Sequence, residues 1–303
     1  MSDSGYALDK PWIRRSFDRA SGTYDAAAVL QAEVRNLLLE RLELTDLSPR
    51  IVLDAGAGTG HAERALKRRY AGAHIIALDS SFGMLRAAAA QQSWFRPFMR
   101  VCADAEHLPL ADGSVDLVVS NFMLQWSDPH AVFAEFRRVL APRGFLSFTT
   151  LGPDTLRELR AAWLQAGHGR ADVHARVIPF IDMHDIGDGL VRAGFAAPVL
   201  DVERYTLEYA DVRRLAEDLK ATGARNPTAG RPRGLTSPRR FAAMQAAYEG
   251  FRSDGRLPAT YEVIFGQAWA PASAQRRPAD ASTHVSLDEI KRQLRHPRGV
   301  PPS

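Results

Sequence analysis

An open α/β fold, with a mostly parallel sheet covered by helices on both faces, is what this sequence predicts, and three observations carry that expectation. Apolar strand-like runs alternate with amphipathic helical runs from Ile51 to about residue 150. The first unit, Val52 to Leu66 (VLDAGAGTGHAERAL), passes from a buried strand through a glycine-rich turn into a helix. The connections between successive strands are long enough for helical crossovers, which makes neighbouring strands parallel and buries both faces of the sheet.

In chain order, residues 12–45 read as an amphipathic helical arm with a break near Ser21 and Gly22. Strands follow at 51–55, 74–78, 98–102, 115–120 and 144–150, with helices near 60–70, 82–91 and 130–140. After Thr150 the sequence predicts a helix from Pro153 to Leu164, then an irregular stretch to Pro179, then a helix through DIGDGLVRAGF with Gly194 as its C-cap. Strand-like segments at 199–207 and 260–269 enclose an insertion of about 208–258 that is expected to cap the site. The organisation is therefore an arm over 1–48, a main domain over 49–270 and a polar, partly mobile tail over 271–303, where Ser286 to Glu289 forms a capping box for a last short helix.

Composition narrows the setting. The lone cysteine, Cys102, excludes an internal disulfide framework and a cysteine zinc site, and its place in the apolar run Phe98 to Ala103 predicts a buried packing role. No apolar run reaches the ~18 residues of a membrane span, and MSDSGYALDK lacks the form of a secretory signal, so a cytoplasmic protein is expected. The net charge of +4, from 39 basic and 35 acidic residues, does not call for a nucleic-acid partner.

The glycine turn sets the ligand question. A dinucleotide fingerprint needs its third glycine at position 61, where His61 stands. The glycines at Gly56, Gly58 and Gly60 instead suit a ligand lying over the turn. Asp79 ends a strand about 20 residues further on, the place of a carboxylate that accepts from ribose hydroxyls, although an aspartate before FGMLRAAAA also suits a turn or N-cap. Asp104, after the next strand, is placed to accept from an exocyclic amine such as that of adenine. Two acids at consecutive strand ends disfavour a polyphosphate, and no lysine of the Walker type lies near the turn.

As a set, DAGAGTG from Asp54 to Gly60, Asp79 with Ser80, ADAEHLPL at 103–110 and VDLVVSN at 115–121 resemble the class I S-adenosylmethionine-dependent methyltransferases. The resemblance implies a Rossmann-like, seven-stranded fold and a cofactor site of Asp54, Gly56, Gly58, Gly60, Asp79, Ser80, Asp104, Ala105 and Asn121, with Asp79 on the ribose, Asp104 on the adenine and the glycines on the methionine side. A narrower resemblance runs to about residue 270. FDRASGTYDAAAVLQ, SNFMLQW, FTTLGPDTLRELRAAW, MHDIGDGLVRAGF, DLKATGARNPTAGRPRGLT and GRLPATYEVIFGQAW are similar to the malonyl-[acyl-carrier protein] O-methyltransferases of early biotin synthesis.

That resemblance implies S-adenosylmethionine as methyl donor and malonyl-acyl carrier protein, or malonyl-coenzyme A, as acceptor. The acceptor carboxylate, with an ordinary pKa of about 4, is already ionised at neutral pH, so the reaction needs alignment and water exclusion rather than a general base. The resemblance places Tyr24 and Phe180 at the acceptor, and Asn121, Gln125 and Trp126 along the wall of the transfer pocket. Ordinary packing is the other reading of Tyr24, Gln125 and Trp126. Lys220 and Arg225 are candidates for acyl carboxylate or pantetheine contacts, and Arg231, Arg233, Arg239 and Arg240 for an acidic carrier surface. His184 beside Asp182 and Asp185 is explained by a helix start, so no metal is expected.

Where the family commonly reads His-Val-Asn-Arg-Phe, this chain has Arg176-Val177-Ile178-Pro179-Phe180, a departure that bears on the acceptor. That segment and the tail QRRPADASTHVSLDEI also look similar to a mitochondrial complex I assembly factor of the same fold, described as a protein arginine hydroxylase. Rival readings are thus an enzyme of this fold acting on a protein arginine or another acid, and a non-catalytic assembly or RNA-binding protein. Retention of both Asp79 and Asp104 speaks against the last.

Overall fold

The computed structural model describes residues 8–272 except 96, 167–172, 174, 175, 232, 233 and 235. The capping box at 286–289, the tail from 273 and Arg233 lie outside the described residues.

Three helices come first: α1 (Lys10–Ala20), α2 (Tyr24–Ala27) and α3 (Val29–Arg41). Asp9 caps α1 by accepting from Trp12 N at 3.0 Å, and Pro11 lies in its first turn, where a missing N–H costs nothing. The core then alternates β1 (Ile51–Ala55), α4 (His61–Arg69), β2 (His74–Asp79), α5 (Phe82–Gln91), β3 (Met99–Cys102), β4 (Val115–Asn121), α6 (Pro129–Val139) and β5 (Leu140–Leu151). Next are α7 (Arg157–Gln165), α8 (Met183–Arg192), β6 (Ala196–Tyr209), α9 (Val212–Ala221), α10 (Pro238–Glu249) and β7 (Leu257–Trp269).

The seven strands form one sheet in the order β3-β2-β1-β4-β5-β7-β6. The five from β1 to β5 pair in parallel, and β7 runs antiparallel between β5 and β6. Period-two alternation divides the core. Val52, Ile75, Leu117 and Phe145 face α3 residues Val34 and Leu38, while Leu53, Ile76, Val118 and Leu146 face Phe133 and Phe136 of α6 and Ile186 of α8. The order reverses between β1 and β4, so the crevice at their C-terminal ends is the switch point where an open α/β sheet binds its ligand.

Two local expectations are corrected. The helix expected from Pro153 begins only at Arg157, because Asp154 N donates to Glu262 Oε2 at 2.9 Å and Leu156 takes a left-handed φ of 56°, holding 153–156 as a turn. Cys102 is exposed rather than packed, because β3 is the edge strand and has neighbours on one side only. Among the described residues no helix is long and apolar enough to cross a membrane.

Candidate active site

The crevice holds two adjoining cavities that share Phe17, Tyr24, Phe122 and Trp126 as lining. The one over the strand ends encloses about 750 Å³ with open solvent counted. Gly56, Gly58, Asp79, Ser80, Asp104, Ala105 and Asn121 line it, bringing together seven of the nine residues expected there.

Backbone geometry explains the glycines. A Cβ on Gly58, whose φ is +55°, would meet nothing within 4 Å, so the turn is open on the side facing the cavity. At Gly56 a Cβ would stand 2.6 Å from Met123 Cβ, so the turn and the loop after β4 close together only with glycine there. Gly60 does not line the cavity; a Cβ there would stand 2.8 Å from Ala88 Cβ, so glycine at this position permits the contact of α4 with α5.

Asp79 accepts from Gly58 N at 2.9 Å and from Ser81 N at 2.7 Å, which ties the turn to the end of β2. Ser81, not Asp79, caps α5, accepting from Met84 N at 3.1 Å. Burial pushes the Asp79 carboxyl up to about 6, against the pull of those two amides. Asp54 lies outside the cavity lining, beside the fully buried Glu63, and burial raises both carboxyls above the ordinary carboxylate range.

Sequence reasoning missed what the arm adds. Lys10, Ile13, Arg14 and Phe17, one helical face at i, i+3, i+4 and i+7, line the same cavity. Lys10 Nζ sits 3.2 Å from Asp104 Oδ1 and 2.6 Å from Glu106 Oε1. Asp18 accepts from Ser81 Oγ at 2.7 Å and Gly83 N at 2.8 Å, so α1 is fastened to the start of α5. Asp25 accepts from Thr59 Oγ1 at 2.6 Å and lies 3.1 Å from His61 Nε2, which fixes the short α2, and Tyr24 with it, to the glycine turn. The face spacing and its mixture of cations with apolar residues were the available signal.

The second cavity, which encloses about 1030 Å³ with open solvent counted, is lined by Gln125, Phe180 and Arg225, and by Leu151, Leu207, Tyr261 and other largely apolar groups. Lys220 is exposed and does not line it, because the last turn of α9 directs that position away. Arg176, counted with the departing segment, does line it; its guanidinium carbon lies 4.2 Å from the centre of the Trp163 ring and its Nη1 donates to Thr236 Oγ1 at 2.9 Å. Arg231 is drawn into the arm instead, 3.0 Å from Asp9 Oδ2 and 4.4 Å from the Trp12 ring centre.

Between the cavities, Phe17 meets Trp126 edge-on with ring centres 5.3 Å apart. Burial, with Asp79 and Asp25 nearby, raises the Tyr24 hydroxyl above its ordinary value, so it stays protonated and able to donate. The amides of Asn121 and Gln125 are committed internally. Asn121 donates to Gln31 O at 3.1 Å and accepts from Thr149 Oγ1 at 2.7 Å, and Gln125 donates to Phe122 O at 2.7 Å. Asn121 lines the first cavity and Gln125 the second, and held in this way they build the wall between them. Asp182 caps α8 by accepting from His184 N at 2.8 Å, and among the described residues no three His, Cys, Asp or Glu side chains converge as metal ligands.

Comparison with known proteins agrees with this geometry. Residues 53–148 match the methyltransferase domain family. The chain is 55% identical over 278 residues to the malonyl-[acyl-carrier protein] O-methyltransferase of Methylovorus sp. (strain MP688), covering 89% of this chain and 92% of that one. The chain belongs to the malonyl-[acyl-carrier protein] O-methyltransferase family. The family member from Laribacter hongkongensis (strain HLHK9) is 52% identical over 289 residues, covering 92% and 95% of the two chains. Among solved structures, the YcgJ protein of Bacillus subtilis superposes with a TM-score of 0.56 at 16% identity, covering 80% of this chain and 100% of that one, a likeness of fold alone.

Proposed function

We propose that the chain methylates the free carboxylate of a malonyl thioester carried on acyl carrier protein, using S-adenosylmethionine, to give the methyl ester that starts the pimeloyl chain of biotin. The observation that carries this reading is the pair of cavities meeting at one aromatic wall, which lets a donor and an acceptor enter separately and meet at Tyr24 and Trp126. The first cavity fits the donor in shape and chemistry: an open glycine turn, a carboxylate at Asp79 for two ribose hydroxyls and a second at Asp104 for an amine. When bound, S-adenosylmethionine supplies an electrophilic methyl group.

The protein's part is then positioning. Arg225 supplies a cation for the acceptor side, and the protonated Tyr24 hydroxyl donates to the carboxylate oxygen that does not attack. Phe17, Phe122 and Trp126 exclude water from the line of attack. No group on the chain needs to remove a proton, since the nucleophile is ionised at neutral pH. Intact-mass spectrometry of malonyl-acyl carrier protein incubated with the chain and S-adenosylmethionine tests the reading. The expected product carries one added methyl on the malonyl group; cofactor binding without transfer would sink the proposed acceptor.

A further inference from the structure

The charge of the molecule is gathered in one place. Residues 210–256, which join β6 to β7, hold ten Lys or Arg against five Asp or Glu, a larger excess than the +4 of the whole chain. Four of these arginines stand where helix electrostatics disfavours them. Arg213 and Arg214 occupy the first turn of α9, behind the N-cap acid Asp211 that accepts from both their amides, and Arg239 and Arg240 occupy that of α10, where neither the cap nor the first turn carries an acid. The N-terminal end of a helix already carries partial positive charge, so cations there oppose folding rather than help it.

The two starts lie together, with the Arg213 guanidinium carbon 6.0 Å from the centre of the Phe241 ring. They also lie at the rim of the acceptor cavity, because Thr236, just before α10, takes the hydrogen bond from cavity-lining Arg176. Arg213 and Arg239 are both exposed. We infer that these helix starts form the docking surface for an acidic carrier protein, placing its thioester arm at the mouth of the acceptor cavity. The inference rests on the proposed reaction and adds the surface that recognises the body of the carrier rather than its acyl group. Opposite charge on the two faces steers encounter and orients the arm.

The test is the double variant Arg213→Glu/Arg239→Glu, assayed with malonyl-acyl carrier protein and with malonyl-coenzyme A, with thermal unfolding alongside. At low salt, kcat/KM for the carrier substrate is expected to fall about tenfold while that for malonyl-coenzyme A stays within about twofold. The Tm is expected to match or exceed that of the wild type, because acids replace cations in two first turns. Equal losses on both thioesters, or a loss on neither, would overturn the docking surface. Were the wild-type chain to methylate neither thioester, the proposed reaction would fail by itself. Anisotropy of labelled holo-carrier protein would still decide the docking: it is expected to bind the wild type and to be released by the double variant, and equal binding would refute the surface.

Discussion

The two cavities differ in how they are made. The donor cavity is built largely from the ends of the parallel strands β1, β2, β3 and β4, which present the turn amides and two carboxylates at one edge, with one face of α1 laid over them. The acceptor cavity is collected from α2 and α3, the loop after β4, the turn and helix after β5, residues 176–180, and the β6–β7 connection. A site on strand ends inherits its precision from the sheet. A site gathered from distant segments depends on fastenings such as Asp25 to Thr59, which holds α2 to the glycine turn, and Arg176 to Thr236. Substitutions on the two sides should therefore separate cofactor affinity from turnover.

The largest effect on affinity is expected at Asp79. Asp79→Ala removes an acceptor of charge-assisted hydrogen bonds and should weaken S-adenosylmethionine binding by ~1.5–3 kcal/mol in calorimetry. Unchanged affinity in a folded variant would take the ribose role from it. A smaller effect follows from its ionisation. With the carboxyl raised to about 6 by burial, it is protonated and a poorer acceptor below that pH, so affinity should improve as pH rises through about 6 and level off above it. Binding at pH 5 is expected to be about tenfold weaker than at pH 7, and Asp79→Asn should flatten the profile. The sign is opposite for stability: the ionised form is disfavoured in the fold, so this group's contribution declines as pH rises from about 4 to about 6. The smallest effect is expected at Lys220, whose exposed side chain lies off both cavities; Lys220→Ala should leave turnover within about twofold, and a larger loss would restore it to the acceptor site.

The same contrast explains what the sequence disclosed. Ile51 to Asp79 and Val115 to Asn121 were legible because buried parallel strands are continuous apolar runs and the turn between β1 and α4 needs glycine for steric reasons. Gly60 and Asp54 share the pattern of the turn but lie outside the cavity lining, a placement set by the neighbours Ala88 and Glu63. Lys10 and Arg176 are held at their cavities by contacts to Asp104, 94 residues on, and to Thr236, 60 residues on, and no local period encodes such partners. Cys102 looked buried because its run is apolar, whereas its exposure follows from β3 lying at the sheet edge, which strand order alone decides.

The division of labour between the cavities is tested most directly at the wall they share. Tyr24→Phe keeps the ring and removes only the hydroxyl, so S-adenosylmethionine affinity by calorimetry should stay within about twofold while single-turnover methyl transfer to malonyl-acyl carrier protein falls about tenfold or more. Affinity and transfer falling together would place the hydroxyl on the donor, and normal transfer would return Tyr24 to packing; either result would contradict a donor cavity and an acceptor cavity joined at this residue.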